Sequence, residues 1–290
     1  MRKHRLLVLC VLVLLVRTEA FGQAHLTHVV TFGDSLTRND LLWRISGNPQ
    51  DMYGADPMEA VFNKGAASDE ELTSYAVGGS ESSDLGMQIR FYQFQRMIGH
   101  QDKATFFSFE IGGNDILYNI KLLASFTPGT NTSADEVIDS LISNIREDLF
   151  LLCRSHPQAQ FVIWTIPDVT LTPLLYSTFD PDEEDNVLAH IERVNQIIRE
   201  MDQYSFVVVL DLFTLIQEIV AEPPVLFGHQ LEPPPAYGDY DDIYADRLHP
   251  TAVTNALIAN IIIDGINKKW GDNILLYTQE ELADLAHISH

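Results

Sequence analysis

The stretch Val29-Val30-Thr31-Phe32-Gly33-Asp34-Ser35-Leu36 carries the reading of the fold. From His28 to Phe32 the residues suit a short strand, and Gly33-Asp34 ends it. The run is continuously apolar rather than alternating, the pattern of a strand covered on both faces. A strand ending in so sharp a turn predicts a helix opening at Ser35. A serine there is exposed at the strand's C-terminal end, beside unpaired backbone N–H groups that can stabilise an oxyanion. By itself the segment reads equally well as Asp34 or Ser35 capping a helix.

Outward from this stretch the pattern repeats. Ala104 to Glu110, Phe161 to Ile166 and Phe206 to Leu210 are three further apolar, strand-like runs, ended by Gly112-Gly113, Pro167 and Asp211. Helical patterns fall between and after them. Ser133-Ala134-Asp135-Glu136 has the form of a capping box opening a helix with apolar residues at 137, 138, 141, 142, 145, 149 and 152. Glu183 to Met201 and Thr251 to Trp270 are helical on the same grounds. Strands alternating with helices predict a mostly parallel sheet wrapped by helices. Two long connections break the rhythm: Thr37 to Ser74, with little periodicity, and Glu222 to Tyr240, with five prolines. Long connections of this kind are often functional. No repeat or flexible linker divides the chain, so residues 21–290 read as one domain.

Residues 1–20 stand apart. Arg2, Lys3 and Arg5 precede an unbroken apolar run from Leu6 to Val16, and small residues follow. This is the layout of a secretory signal peptide, cleaved near Ala20 or Ala24. The run is too short to span a bilayer, which needs about 20 residues; the protein is expected outside the cell, without stable membrane insertion. Loss of residues 1–20 moves the formal charge from −23 to −26. Such a surface repels nucleic acid and anionic lipid, which excludes a nucleic-acid partner. Of the two cysteines, Cys10 leaves with the leader and Cys153 reads as a buried apolar residue. Asn131-Thr132-Ser133 is a glycosylation sequon, making Asn131 a candidate glycan site.

The second chemical signal is Asp246-Arg247-Leu248-His249-Pro250. A carboxylate three residues before a histidine can turn back on the ring and accept from Nδ1–H, leaving Nε2 free to take a proton. Its alternative is a loop leading into a helix, with Pro250 at the first helical position. Together the two signals give a nucleophile early and a dyad late, in the order Ser35, Asp246, His249. No Gly-x-Ser-x-Gly elbow surrounds Ser35, which disfavours the ordinary α/β-hydrolase arrangement. The acidic run Asp180 to Asp185 lacks the glycine of a calcium loop and reads as a helix start. No phosphate loop and no cysteine–histidine zinc pattern is present, so no metal or cofactor is expected.

Two further blocks complete a pattern: Tyr75-Ala76-Val77-Gly78-Gly79-Ser80 and Ile111-Gly112-Gly113-Asn114-Asp115. With Gly33-Asp34-Ser35-Leu36 and Asp246-Arg247-Leu248-His249-Pro250, the chain resembles the GDSL, or SGNH, hydrolases, whose four blocks it matches in order from residue 33 to 250. The resemblance implies Ser35 as nucleophile, Asp246 and His249 as its dyad, and an oxyanion hole from the N–H groups of Ser35 and Gly79 and the side chain of Asn114. It implies a flavodoxin-like three-layer α/β/α sandwich with a five-stranded parallel sheet. One departure is visible: the second block often opens with asparagine, and here that position is Ser74.

The expected function is a secreted serine esterase acting on short-chain or acetyl esters, with a small molecule or a polysaccharide as the ester substrate. A lipase or phospholipase is the alternative, and an inactive secreted binding protein the alternative of another class. Trp43 and Tyr53 follow the nucleophile, and Phe227, Tyr237, Tyr240 and Tyr244 precede the dyad, so these aromatics are candidates for the substrate wall. Thr278 to His290 reads as a small acidic amphipathic helix suited to docking on the protein.

Overall fold

A computed structural model describes residues 24, 26–37, 50–65, 71–100 and 103–290. Five parallel strands form the sheet, β1 His28–Gly33, β2 Glu71–Ser74, β3 Phe106–Glu110, β4 Gln160–Trp164 and β5 Val207–Leu210. Their order is β2-β1-β3-β4-β5. Val30 pairs with Thr73 on one side and Phe107 on the other, and Phe161 with Phe107 and Val207. Ten helices are described around it: α1 Gln50–Tyr53, α2 Pro57–Gly65, α3 Ser82–Met97, α4 Gly113–Tyr118, α5 Ile120–Ser125, α6 Thr132–Ser155, α7 Pro181–Arg199, α8 Leu212–Ala221, α9 Ala252–Trp270 and α10 Gln279–Leu285. A small antiparallel hairpin, β6 Val225–Leu226 with β7 His229–Gln230, lies in the proline-rich connection.

Continuous apolar strands follow from this layering. Successive side chains leave a strand on opposite faces. Val30, Phe107, Phe109, Phe161 and Ile163 enter one core, with residues of α3, α6 and α7. Val29, Phe106, Val162, Trp164, Val208 and Leu210 enter the other, with residues of α2, α8, α9 and α10. Both faces of the four apolar strands, β1, β3, β4 and β5, are covered, so both registers of the alternation are mostly apolar. Cys153 is buried in the first core.

The structure corrects several boundaries. The fifth strand, β2, lies at the end of the connection that showed little periodicity, as does α2. β2 is a short edge strand with exposed and half-buried residues, so it lacks the apolar signature of the others. The helix expected to open at the Ser133–Glu136 capping box begins earlier: Asn131 is its cap and accepts from Ala134 N–H at 3.1 Å. Pro250 precedes the cap of α9, Thr251, instead of occupying the first helical position. The acidic run does open a helix, with Asp180 and Glu183 forming a reciprocal capping box. α10 docks as expected, burying Leu282 and Ala283. The signal-peptide segment 1–20 lies outside the described residues. Among the described residues, no helix is long and apolar enough to cross a membrane.

Candidate active site

All four sequence blocks meet at the C-terminal edge of the sheet, where open α/β sheets bind ligands. Ser35 follows β1 in a single 3-10 turn, Ser35–Thr37, at the point where the sequence places the opening of a helix. Gly33 makes the turn possible. Its φ is +151°, and a Cβ there would stand 1.9 Å from the Glu110 carbonyl oxygen of the neighbouring strand. Only glycine fits such an approach.

His249 reaches Ser35 across the chain, with Nε2 2.9 Å from Oγ. Its Nδ1 lies 2.9 Å from Asp246 Oδ2 and 3.0 Å from Oδ1. Because Nδ1 faces a carboxylate it carries the ring proton, so Nε2 accepts from the serine hydroxyl. The Asp-x-x-His spacing works locally: Asp246 Oδ1 accepts from the backbone N–H groups of Leu248 and His249, each at 2.7 Å. Burial raises the Asp246 carboxyl, but the hydrogen bonds and positive charge offered by His249, with the Leu248 N–H, outweigh it and hold the group below the usual carboxylate range. Tyr53 Oη donates to Asp246 Oδ2 at 3.2 Å from behind.

The opposite side of Ser35 is built from the second and third blocks. Gly79 has φ +81°, and its loop is tied to the third block through Ser80, next to it in the chain. Among the described residues, neither the Ser35 nor the Gly79 backbone N–H has a hydrogen-bond acceptor. Asn114 Nδ2 donates to Asp34 Oδ2 and to the Ser80 carbonyl, both at 3.0 Å. Both amide hydrogens are thus engaged. Asp34 and Glu110 are both buried at the end of β1 and β3. Burial raises the Asp34 carboxyl and, together with repulsion from Asp34, pushes Glu110 well above the ordinary range. Asp115 accepts from Ser82 N–H at 2.8 Å and Ser82 Oγ–H at 2.6 Å, tying α4 to the start of α3. Ser74, where the family often has asparagine, donates to Thr37 O and accepts from Ala76 N–H, so it still braces the loop that leads to Gly79.

A cleft of about 650 Å³, mouth included, opens over Ser35, Asn114 and His249. Of the described aromatics expected on its wall, only Tyr244 lines it. Tyr53 is a correction: it is buried, and its hydroxyl serves Asp246. Tyr240 is another, because its ring stacks on His287 at 3.8 Å. Tyr237 is exposed and Phe227 stacks on His290, both away from the lining. Trp43 lies outside the described residues. The walls are instead Leu36, Leu117, Trp164, Pro167, Val169 and Leu248. Pro167 and Val169 follow β4 at the sheet edge, a position that topology alone marks as ligand-facing once the strand is placed.

The GDSL-like Lipase/Acylhydrolase family model matches residues 29–262. The chain belongs to this family. It is accordingly an ester-bond hydrolase, and the chemistry supported is carboxylic ester hydrolysis. No curated protein matches the chain. Solved structures resemble it in fold. A lipase from a goat rumen metagenome superposes with a TM-score of 0.56 at 13% identity, over 82% of this chain and 96% of its own. An alpha/beta hydrolase enzyme from the metagenome of Lake Arreo gives 0.52 at 15%, over 85% and 98%. An acetylxylan esterase from Geobacillus stearothermophilus gives 0.51 at 13%, over 88% and 98%. Identities this low carry the α/β fold of the family and nothing finer.

Proposed function

We propose that this hydrolase is a secreted serine esterase, one catalytic domain over residues 21–290, that cleaves short-chain or acetyl esters by way of an acyl-enzyme. The observation that carries the reading is the hydrogen-bonded chain Ser35 Oγ, His249 Nε2, His249 Nδ1, Asp246 Oδ2, with links of 2.9 Å at both ends of the imidazole. In this reading His249 takes the Ser35 proton as Oγ attacks the ester carbonyl. Asp246 holds the ring and stabilises the imidazolium. The carbonyl oxygen gains negative charge and is held by the N–H groups of Ser35 and Gly79 and the Asn114 amide. The tetrahedral intermediate then collapses: the C–O bond to the alcohol breaks, and His249 gives that alcohol the proton. Water, deprotonated by the same His249, attacks the acyl group and releases the acid and free Ser35.

The substrates proposed are acetylated small molecules or carbohydrates. The acetylxylan esterase among the fold relatives is compatible with this. The apolar walls at Leu36, Leu117, Val169 and Leu248 favour a second reading, in which the cleft takes a longer acyl chain as in a lipase. The leader-like residues 1–20 support secretion. In a glycosylating host Asn131 would carry its glycan through Nδ2, which leaves Oδ1 free to keep capping α6.

The test is hydrolysis of p-nitrophenyl esters from acetate to long chains by the secreted protein and its Ser35→Ala variant. Ser35-dependent activity that falls steeply beyond butyrate supports the short-chain reading, and activity rising with chain length moves it to lipids. Turnover retained in a clean, folded Ser35→Ala preparation refutes the serine mechanism. A wild-type protein that neither turns over nor labels with a fluorophosphonate revives the binding-protein alternative.

A further inference from the structure

The backbone at the end of β1 is completed by a side chain. On the β2 side of β1 the ladder ends with the Thr31–Ser74 pair. Tyr75 N–H still donates to Thr31 O at 2.9 Å, and Val77 N–H to Gly33 O at 3.1 Å. The N–H of Gly33 points the same way, but β2 has ended and no strand receives it. Gln88, on α3, takes that place. Gly33 N–H donates to Gln88 Oε1 at 3.0 Å, and Gln88 Nε2 donates to Gly33 O at 2.8 Å. Nε2 uses its second hydrogen on Ser80 Oγ at 3.2 Å. The Gln88 side chain is buried, and the reciprocal pair on Gly33 leaves no ambiguity about which end of the amide is oxygen.

These three bonds join two segments that sequence keeps 47 residues apart, from Gly33 to Ser80. Gly33 lies two positions before Ser35, and Ser80 directly follows Gly79. Both segments turn on glycines with positive φ, +151° at Gly33 and +81° at Gly79, and glycine backbone is the least constrained of all. An oxyanion hole requires the opposite. Its donors act only if held about 2.7–3.1 Å from the position the developing charge will occupy. Ser80 is fixed from the other side as well, because its carbonyl accepts from Asn114 Nδ2 at 3.0 Å. A brace between the two glycine turns removes a freedom that catalysis cannot tolerate.

We infer that Gln88 is a positioning residue for ester hydrolysis: its buried amide sets the spacing between the Ser35 and Gly79 backbone N–H groups that hold the oxyanion. The inference rests on the reading of Ser35 as nucleophile and Gly79 as oxyanion donor. Gln88 touches no substrate; it acts through Gly33 and Ser80. Because the oxyanion exists only past the ground state, loss of the brace slows the chemical step and leaves ester binding nearly unchanged.

The experiment uses the full chain and three variants, Gln88→Met, Ser80→Ala and Ser35→Ala. It measures kcat and KM for p-nitrophenyl acetate, the rate of fluorophosphonate labelling, and thermal unfolding. Met keeps the length of Gln and removes all three hydrogen bonds; Ser80→Ala keeps the clamp on Gly33 and cuts only the tie to the Gly79 loop. The expected result for Gln88→Met is a fall of about 10–100-fold in kcat and in labelling rate, with KM within about threefold of wild type. Ser80→Ala falls in the same direction by about threefold to tenfold. A folded Gln88→Met protein with wild-type kcat overturns the inference, and so does a loss carried by KM alone. If Gln88→Met does not fold, Ser80→Ala decides by the same criterion: a lower kcat supports the brace, an unchanged one overturns it. Failure of the serine reading shows separately, as wild-type protein that resists labelling or Ser35→Ala that keeps turning over, and removes this inference with it.

Discussion

Replacing Tyr53 with Phe deletes one oxygen atom and one hydrogen bond, and it separates two roles for an aromatic residue beside the cleft. The Tyr53 hydroxyl donates to Asp246 Oδ2 at 3.2 Å, the oxygen that also accepts from His249 Nδ1 at 2.9 Å. A hydrogen bond to a charged group contributes about 1.5–3 kcal/mol, and a length above the usual ~2.8 Å for O–H···O places this one at the lower end. About 1.4 kcal/mol is tenfold in rate, so kcat should fall by up to about tenfold, to the extent that the bond holds Asp246 more firmly in the transition state than with ester bound in the ground state. Asp246 itself stays in place, because Leu248 and His249 N–H still hold Oδ1 at 2.7 Å each. The assay measures kcat and KM on p-nitrophenyl acetate, butyrate and octanoate. The loss should be equal for the three chains and should leave KM unchanged. A KM that rises with chain length while kcat holds would put Tyr53 on the substrate wall and refute the reasoning.

Asn114→Ala removes a donor from the developing oxyanion and should lower kcat by about 10²–10³-fold, read under saturating ester. Asp56 caps α2 through Met58 and Glu59 N–H groups, and burial pushes its carboxyl up to about 7. Folding therefore favours its protonated form. That stabilisation is fully present below the unfolded value near 4 and is lost as pH rises through 7, a swing of up to about 4 kcal/mol at 1.36 kcal/mol per unit. Urea unfolding of wild type and Asp56→Asn at pH 5 and pH 8 checks this: the variant should gain relative stability at the higher pH, and an equal difference at both would contradict the assignment.

Much of the fold is legible in the strand runs. Val29 to Phe32, Phe106 to Glu110, Phe161 to Trp164 and Val207 to Leu210 are mostly apolar, on both registers of the alternation, because each face of the sheet meets its own core. β2 escaped notice for the same reason in reverse. At the sheet edge its Glu71 and Ser74 are exposed, and pairing with β1 alone holds it in line. α6 opens two residues before the Ser133 cap that the sequence suggests, because both Asn131 and Ser133 are good caps, and only backbone geometry chooses between them.

The chemical residues divide similarly. Asp246 and His249 are three positions apart, so their hydrogen bond is a local consequence of one turn and can be read without a fold. Gly33 and Gly79 stand out as glycines at turns. The partners that make these residues work come from far along the chain. Tyr53 is 193 residues from Asp246, Gln88 is 55 from Gly33 and Asn114 is 80 from Asp34. Nothing in the spacing of a glutamine or a tyrosine marks it for such a contact. The sequence by itself determined the layered α/β architecture and marked the residues proposed as nucleophile and dyad, because periodicity and short motifs are properties of neighbouring residues. Tertiary structure alone decided which side chains brace the site and which line the cleft, because those roles depend on where the ends of five strands and their following loops converge.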